Sequence, residues 1–308
     1  LSLSFSAYFW WAAWGIDGLD GGDTIEVADA LGRLDLIAIC LAILGLSAII
    51  ATFPFARFIR MAAEQEARDV AFKVAKKAAL EAGNFLRKNK DNLNKTISST
   101  DRDIKLQADI EAEKIIKDII NNDSSFGILA EESGMSSKES YKNLWVVDPL
   151  DGTANYARNI PLCCISIAML SDAKPVLGVI YDFNNDELYE GSINTSACLN
   201  GRAISVSKTK KTQEGVLVTG LPNDTDYSDE AMMEMIKNFQ NWRKVRMIGS
   251  AALASVYVAS GKADLYMESK SYLWDVAAGA AIVNAAGGKA IISNHKVAQE
   301  QLDSAVCR

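Results

Sequence analysis

Two apolar segments that run directly into acidic residues constrain the fold of this chain most strongly. The segment "FGILA" is followed directly by Glu131 and Glu132. The segment "WVVD" ends at Asp148, and Asp151 follows three positions later. Short and wholly apolar runs of this kind predict buried strands. A carboxylate is costly to bury unless something positive lies beside it, so we expect both strand ends to meet a cation at one edge of a sheet.

Two further acids lie where the sequence predicts helices. Asp109 stands near the start of the helix predicted over 106–122, and Asp275 lies just inside the start of the small-residue segment "DVAAGAAIVNAAGG". Clustered carboxylates repel one another and either take up protons or bind cations. Oxygen ligands without histidine or cysteine favour Mg²⁺, Mn²⁺ or Ca²⁺. The four acidic points together therefore predict a site for divalent cations.

The composition excludes several other kinds of chemistry. The single histidine, His295, lies in a stretch with no supporting motif, which disfavours a Ser-His or Cys-His catalytic pair. A net charge of −7 disfavours a nucleic-acid polymer as partner. The five cysteines form no CxxC pair, which argues against a cysteine zinc site and against structural disulfides; they are Cys40, Cys163, Cys164, Cys198 and Cys307.

The segment "DPLDGT" allows two interpretations. Gly152 permits a close approach of the backbone to a ligand, and a helix that starts near Thr153 would direct its first N–H groups at an anion. Alternatively, the segment is a simple turn with Pro149 at its first position. The turn would be the better interpretation of this segment alone, but the other acids at strand ends and helix starts favour an anion site.

Two segments carry a resemblance to a known family. The stretch "WVVDPLDGTANYARNIPLCCISIAML" resembles a signature of the inositol monophosphatase family, an apolar strand followed by DPxDGTxN, and "LWDVAAGAAIVNAAGG" resembles its second signature. The resemblance covers about Ala67 to Leu302. It implies an α/β (α+β) fold, the layered αβαβα sandwich of the inositol monophosphatase and fructose-1,6-bisphosphatase type.

The resemblance also implies roles for individual residues. It implies that two or three Mg²⁺ ions are held by the metal ligands Glu131, Asp148, Asp151, Asp275 and the carbonyl of Leu150. It implies that the amides of Gly152 and Thr153 hold the phosphate. It implies that Thr153, Asp109 and Glu131 position and deprotonate the attacking water. The implied substrate contacts are Asp151, Ala251, Glu268 and Asp275, with packing still open for Ala251 and a solvated turn open for Glu268.

The implied function is that of a Mg²⁺-dependent, lithium-sensitive phosphomonoesterase acting on inositol monophosphate or a related sugar phosphate. Its partners would be a small phosphate monoester and a second copy of the chain in a homodimer. A fructose-1,6-bisphosphatase or a 3′(2′),5′-bisphosphate nucleotidase remains an alternative, because the signatures do not define the substrate pocket. A non-catalytic, membrane-anchored scaffold of the same fold is a further alternative.

One departure from the family pattern lies next to the first acid. Where many members have a VTxxD motif, this chain reads "KLQAD", with Lys105 and Leu106 in the first two positions. The difference leaves the principal ligands unchanged but puts a third, loosely held metal ion in question.

The first 60 residues differ from the remainder. The run from Leu36 to Ala56 carries no charge and is long enough to cross a bilayer, with acids before it and bases after it. We expect a membrane segment over 1–60, with one transmembrane helix at about 34–57, and a catalytic domain over 61–308. This predicts a membrane-anchored protein with a cytoplasmic catalytic domain, or a cytoplasmic one if residues 1–60 are not part of the mature chain. A buried core helix is the competing interpretation.

Overall fold

The computed structural model describes residues 65–99, 104–136, 142–222, 225–293 and 304–308. The chain divides into two compact units, Leu1–Ala67 and Arg68–Arg308. Apart from the first three residues of the first helix, the elements below belong to the second unit. The boundary predicted between residues 60 and 61 stays a prediction.

The described helices include two that were expected from the sequence. The helix predicted over 106–122 is present as α3, and the small-residue segment that contains Asp275 forms α7. The helices are α1 (65–88), α2 (Lys90–Leu93), α3 (Gln107–Asp123), α4 (Thr153–Ala157), α5 (Asp229–Phe239), α6 (Ala251–Ala259) and α7 (Leu273–Ala285).

An eight-stranded sheet forms the centre of the fold, in the strand order β10-β9-β8-β7-β6-β5-β3-β4. Its neighbouring strands are antiparallel, except that β3 and β5 run parallel. The strands are β3 (Gly127–Ala130), β4 (Gly134–Met135), β5 (Asn143–Asp151), β6 (Cys164–Ser171), β7 (Lys174–Asp182), β8 (Glu187–Ser192), β9 (Cys198–Leu199) and β10 (Arg202–Ala203).

A second sheet has five strands in the order β12-β11-β13-β15-β14, and β1 and β2 form a separate antiparallel pair. In the second sheet β11 is parallel to β12 and β13, whereas β15 is antiparallel to β13 and β14. The remaining strands are β1 (Thr96–Ser99), β2 (Ile104–Leu106), β11 (Val216–Thr219), β12 (Lys244–Met247), β13 (Leu265–Ser269), β14 (Ala290–Ser293) and β15 (Ser304–Cys307).

Strand β5 shows how helices cover both faces of the large sheet. Successive side chains of a strand point to opposite faces. Accordingly Trp145 and Val147 belong to one buried cluster with the apolar residues of α1 and α3. Leu144 and Val146 belong to another cluster, which contains the apolar residues of α6 and α7. Both faces of the sheet are therefore buried at β5, which explains why the sequence of this strand is a continuous apolar run.

The alternation of side chains along β11 and β13 also shows which elements cover the two faces of the second sheet. Val218 of β11 and Tyr266 of β13 join the cluster of α6 and α7, so these two helices lie between the sheets. Thr219 and Met267, one position further along the same strands, line a cavity of about 280 Å³ with residues of α5. The layers therefore alternate between helices and sheets, which confirms the α/β sandwich that the resemblance predicted.

The prediction of a membrane anchor is corrected by the structure. In the described ranges, no helix combines the length and the apolarity needed to cross a bilayer. The uncharged run from Leu36 to Ala56, on which the transmembrane helix was based, lies outside the described residues. An apolar run of sufficient length identifies only a candidate span, so it does not support an anchor by itself. The membrane-anchored localisation and the membrane partner are withdrawn with it.

Candidate active site

A bulge in β5 brings its two aspartates to the same pocket. Asp148 pairs with Ser166 of β6 and Asp151 pairs with Cys164, so β5 contains one residue more than β6 between these pairs. In a regular strand two residues three positions apart would face opposite sides of the sheet. The extra residue reverses the alternation, as bulges next to functional sites often do. Both aspartates are buried, and their charges act on each other.

Glu131 lies beside these aspartates because β3 is the parallel neighbour of β5. Ala130, the last residue of β3, is paired with Val147, and the N–H of Glu131 donates to the carbonyl of Val147 at 3.1 Å. This places Glu131 one step from Asp148. The parallel pairing thus makes two acids that are 17 positions apart in the sequence into neighbours.

Asp109 and Asp275 occupy equivalent positions at the starts of two helices. The Oδ2 of Asp109 accepts the N–H of Leu106 at 2.8 Å, and the Oδ2 of Asp275 accepts the N–H of Tyr272 at the same distance. Each aspartate therefore holds the N–H of the residue that precedes its own helix, the reciprocal half of a capping box. The second oxygen of Asp109 lies within hydrogen-bond distance of the hydroxyl of Thr153.

The carboxylate of Asp151 is held by the N-terminus of α6. Its Oδ2 accepts the N–H of Ala252 at 2.7 Å and the hydroxyl hydrogen of Ser250, and its Oδ1 accepts the N–H of Ala251 at 3.3 Å. Ser250 also caps the helix by accepting the N–H of Leu253 at 3.2 Å. The positive end of the helix dipole stabilises the negative carboxylate. Ala251, expected to contact substrate, contacts Asp151 here through its backbone.

Thr153 connects the segment after β5 with α3. Its Oγ1 lies 2.9 Å from Oδ1 of Asp109 and 3.0 Å from the carbonyl oxygen of Leu150, and its hydroxyl hydrogen can go to either. Gly152, which precedes it, has a φ of +93°, and a Cβ there would lie 2.7 Å from the carbonyl oxygen of Leu162. Both the left-handed backbone and the close approach require glycine at this position.

The charges of the four predicted metal ligands act on one another. Burial, followed by the charge of Asp275, raises the pKa of Glu131 well above its usual range. Burial and the charges of Glu131 and Asp151 do the same to Asp148. Burial and the charge of Asp151 raise the pKa of Asp275 well above its usual range. Burial raises the pKa of Asp151 only to about 6, because Ser250 and the amides of α6 oppose the rise.

The donor chemistry of this pocket fits a hard divalent cation. No described lysine or arginine forms a direct ion pair with any of the four acids. Among the described residues, no three histidine, cysteine or acidic side chains are arranged so that they could hold a metal ion together. Asp151 and Asp275 accept hydrogen bonds from backbone N–H groups.

Glu268 lies close to the pocket on β13 of the second sheet. The hydroxyl of Tyr266 donates to its Oε2 at 2.6 Å, and a Cβ at Gly220 would lie 2.6 Å from its Oε1. Burial, and to a smaller extent the charge of Asp151, raises the pKa of Glu268 to about 7. It is therefore part of a strand facing the acids, and the alternative of a solvated turn does not describe it.

Sequence reasoning missed Glu113, which supports this pocket. Glu113 lies one turn after Asp109 on α3, is buried, and accepts the N–H of Glu132 at 2.8 Å with its Oε2. Glu132 forms an ion pair with Lys105 of β2. The i, i+4 spacing of the two acids on α3 was a readable signal for Glu113, since such residues share one face of a helix.

Fold and site together define the class of this protein. The chain belongs to the inositol monophosphatase family, whose family model matches residues 64–304. Its homologues in this family support a phosphatase, a type of hydrolase.

Individual relatives are similar over most of the chain. A Nus factor SuhB from Xylella fastidiosa is 37% identical over 69% of this chain and 78% of its own. An inositol-1-monophosphatase from a Synechocystis species is 39% identical over 60% of this chain and 66% of its own. The crystal structure of an extragenic suppressor protein suhB from Bartonella henselae matches with a TM-score of 0.70 and 32% identity, over 77% of this chain and 93% of that chain.

Proposed function

We propose that this chain is a Mg²⁺-dependent phosphomonoesterase that hydrolyses inositol monophosphate or a related sugar phosphate. The observation that carries the proposal is one buried pocket in which acids from β3, β5 and α7 raise one another's pKa, next to the Thr153–Asp109 pair. An uncompensated group of buried carboxylates destabilises a fold, so its presence favours a functional role.

The proposed metal ligands are the acids of this pocket. Glu131, Asp148, Asp151, Asp275 and the carbonyl of Leu150 would hold two or three Mg²⁺ ions, and the family is generally metal-dependent. Bound ions would supply charge neutralisation and a lower pKa for a coordinated water. In the metal-bound protein we expect Asp151 to keep its short hydrogen bond to the N–H of Ala252 and Asp275 its bond to the N–H of Tyr272.

The protein's own groups would orient the water and accept its proton. Thr153 can accept a hydrogen bond from the water with its oxygen while its hydroxyl hydrogen goes to Asp109 at 2.9 Å. Burial raises the pKa of Asp109 to about 7, which suits a group that takes up a proton near neutral pH. Glu131 would assist from the opposite side of the pocket.

The phosphate and the alcohol would be held by different parts of the pocket. The N–H groups of Gly152 and Thr153 stand at the start of α4, where backbone donors lack partners within the helix, and would bind the phosphoryl oxygens. Glu268 and Ala251, on the second sheet and the start of α6, would contact the hydroxyl-bearing part of the substrate. Asp151 and Asp275 would contact the substrate as well.

Phosphate release from a panel of substrates tests the proposal. The panel contains inositol 1-phosphate, fructose 1,6-bisphosphate and a 3′,5′-bisphosphate nucleotide, each with and without Mg²⁺ and with added Li⁺. We expect Mg²⁺-dependent, Li⁺-inhibited release that is fastest with inositol phosphate. Faster release from either of the other two substrates would support the corresponding alternative enzyme, and release that does not depend on a metal would contradict the proposal.

A second candidate function is binding to another macromolecule instead of catalysis. It is favoured by the similarity to a protein named as a Nus factor. Absence of phosphate release from every substrate, in a chain that still binds Mg²⁺, would support this candidate. The homodimer is likewise a proposal, and the molar mass of the full chain in solution tests it.

A further inference from the structure

Lys105 places a positive charge at the edge of the acidic pocket. Its ammonium forms an ion pair with the carboxylate of Glu132, whose side chain is 10% exposed, whereas that of Lys105 is 35% exposed. The hydrogen bond to Glu132 raises the pKa of Lys105, and the charges of Asp109 and Glu131 add to the rise. The ammonium therefore lies within the field of three acids that border the pocket.

The partner of Lys105 is fixed in position from its other side. The N–H of Glu132 donates to Oε2 of Glu113 at 2.8 Å, and Nζ of Lys117 donates to Oγ of Ser133 at 2.7 Å. Both contacts tie the turn after β3 to helix α3. Lys105 itself precedes α3 by two residues on β2. The ion pair thus joins two anchored segments, which reduces the entropy lost in holding its charges together.

A fixed ammonium changes what the pocket can bind. It attracts the neighbouring carboxylates and repels any further dication at short range, and the repulsion is larger where the site is partly desolvated. The affinity of oxygen ligands for a divalent ion depends on how much negative charge is left uncompensated. Lys105 compensates the charge of Glu132 directly, and it also lies within the field of Asp109 and Glu131.

We propose that Lys105 is a built-in cation of this pocket, whose ammonium takes the place of one divalent ion beside Glu131 and Glu132. The inference rests on the proposed metal-binding function. It predicts that the number of divalent ions bound by the full chain depends on the charge at position 105. Lys105 acts through Glu132 and Glu131 and is therefore a positioning residue.

Calorimetric titration of the metal-free full chain with Mn²⁺ and with Mg²⁺, in the absence of substrate, tests the proposal. We expect Lys105→Met to bind one more ion per chain than the wild type, with weaker affinity than the other ions. Lys105→Arg keeps the charge and should bind the same number as the wild type. Lys76→Met is a matched control, because Lys76 pairs with Glu190 at similar exposures of 36% and 17%, away from the pocket acids.

The outcomes separate this inference from the proposed function. Equal ion numbers in the wild type and in Lys105→Met, with both proteins folded by circular dichroism, would overturn the inference. An extra ion in Lys76→Met as well would also overturn it, because the effect would then not be local. An extra ion confined to Lys105→Met, in a chain that releases no phosphate from any substrate, would support the inference and contradict the phosphatase activity.

Discussion

Thr153 and Asp109 lie 44 positions apart in the sequence, and their side chains are joined by a hydrogen bond of 2.9 Å. The first stands at the start of the short helix after β5, and the second in the first turn of α3. This hydrogen bond connects the segment proposed to bind the phosphate with Asp109, the group proposed to accept a proton.

Removing the hydroxyl of Thr153 should lower turnover without unfolding the protein. We expect Thr153→Ala to reduce kcat by about 10²–10³-fold, within the range of a lost general acid–base contribution. Thr153→Ser keeps the hydroxyl and should retain most of the activity. Equal losses in both variants would show that the methyl packing of Thr153, and not its hydroxyl, is what matters. Steady-state phosphate release measures both.

Asp148→Asn should abolish metal binding while it leaves the fold intact. Asp148 is 2% exposed, and its charge is opposed by Glu131 and Asp151. The loss of a direct metal ligand should lower the metal affinity by more than the ~10–100-fold that is typical when a residue that only supports a ligand is changed. Without metal, the variant should unfold at the same temperature as the wild type or higher, because one buried charge is gone. Normal turnover with normal Mg²⁺ affinity would contradict the ligand assignment.

Glu113 should act on the metal through the turn that carries Glu131 and Glu132. Glu113→Ala removes the acceptor of the Glu132 N–H and should weaken Mg²⁺ binding by roughly 10–100-fold. Glu113→Gln keeps an acceptor oxygen and should restore most of the affinity. A rescue of this kind distinguishes positioning from a general loss of stability, and metal titration together with thermal unfolding measures the two effects separately.

Glu268 should make the metal-free protein less stable as the pH rises. Burial raises its pKa from 4.5 to about 7, so between these values the folded state keeps a proton that the unfolded state has released. The free energy of unfolding therefore falls with rising pH across this window. Glu268→Gln removes the penalty and should be about 3 kcal/mol more stable than the wild type at pH 8, with the difference vanishing toward pH 4.5.

Denaturant unfolding in EDTA at several pH values measures this difference. Glu81→Gln is a suitable control, because Glu81 is exposed on α1 and should show the same stability as the wild type at every pH. A Glu268→Gln variant that is less stable than the wild type at pH 8 would contradict the prediction.

Gly178 tests how closely α7 packs on the large sheet. A Cβ at this position of β7 would lie 2.2 Å from the carbonyl oxygen of Ala278, a backbone atom that cannot move alone. We expect Gly178→Ala to lower the free energy of unfolding by about 1–3 kcal/mol or more, as overpacking does. Gly127→Ala is the milder control, because its Cβ would meet only the end of the Leu144 side chain at 3.3 Å. Thermal unfolding compares the two.

Parts of the fold could be predicted because local patterns and local structure agree. The helical spacing of α3, the apolar strands β3 and β5 and the small residues of α7 were all visible in the sequence. The segment at 36–56 shows the limit of such patterns. Length and lack of charge define a candidate span, but they do not show where the segment lies.

The sequence by itself determined which residues bear charge at strand ends and helix starts, because the chemistry of an acid after an apolar run does not depend on its distant neighbours. Tertiary structure alone decided how these acids are oriented. The bulge that turns Asp148 and Asp151 to one side arises from pairing with β6, and the amides that hold Asp151 come from α6, 100 positions away. The ion pair of Lys105 and the support from Glu113 likewise depend on β2 and α3 meeting the turn after β3. Such contacts are set by packing between distant segments, which no local pattern records.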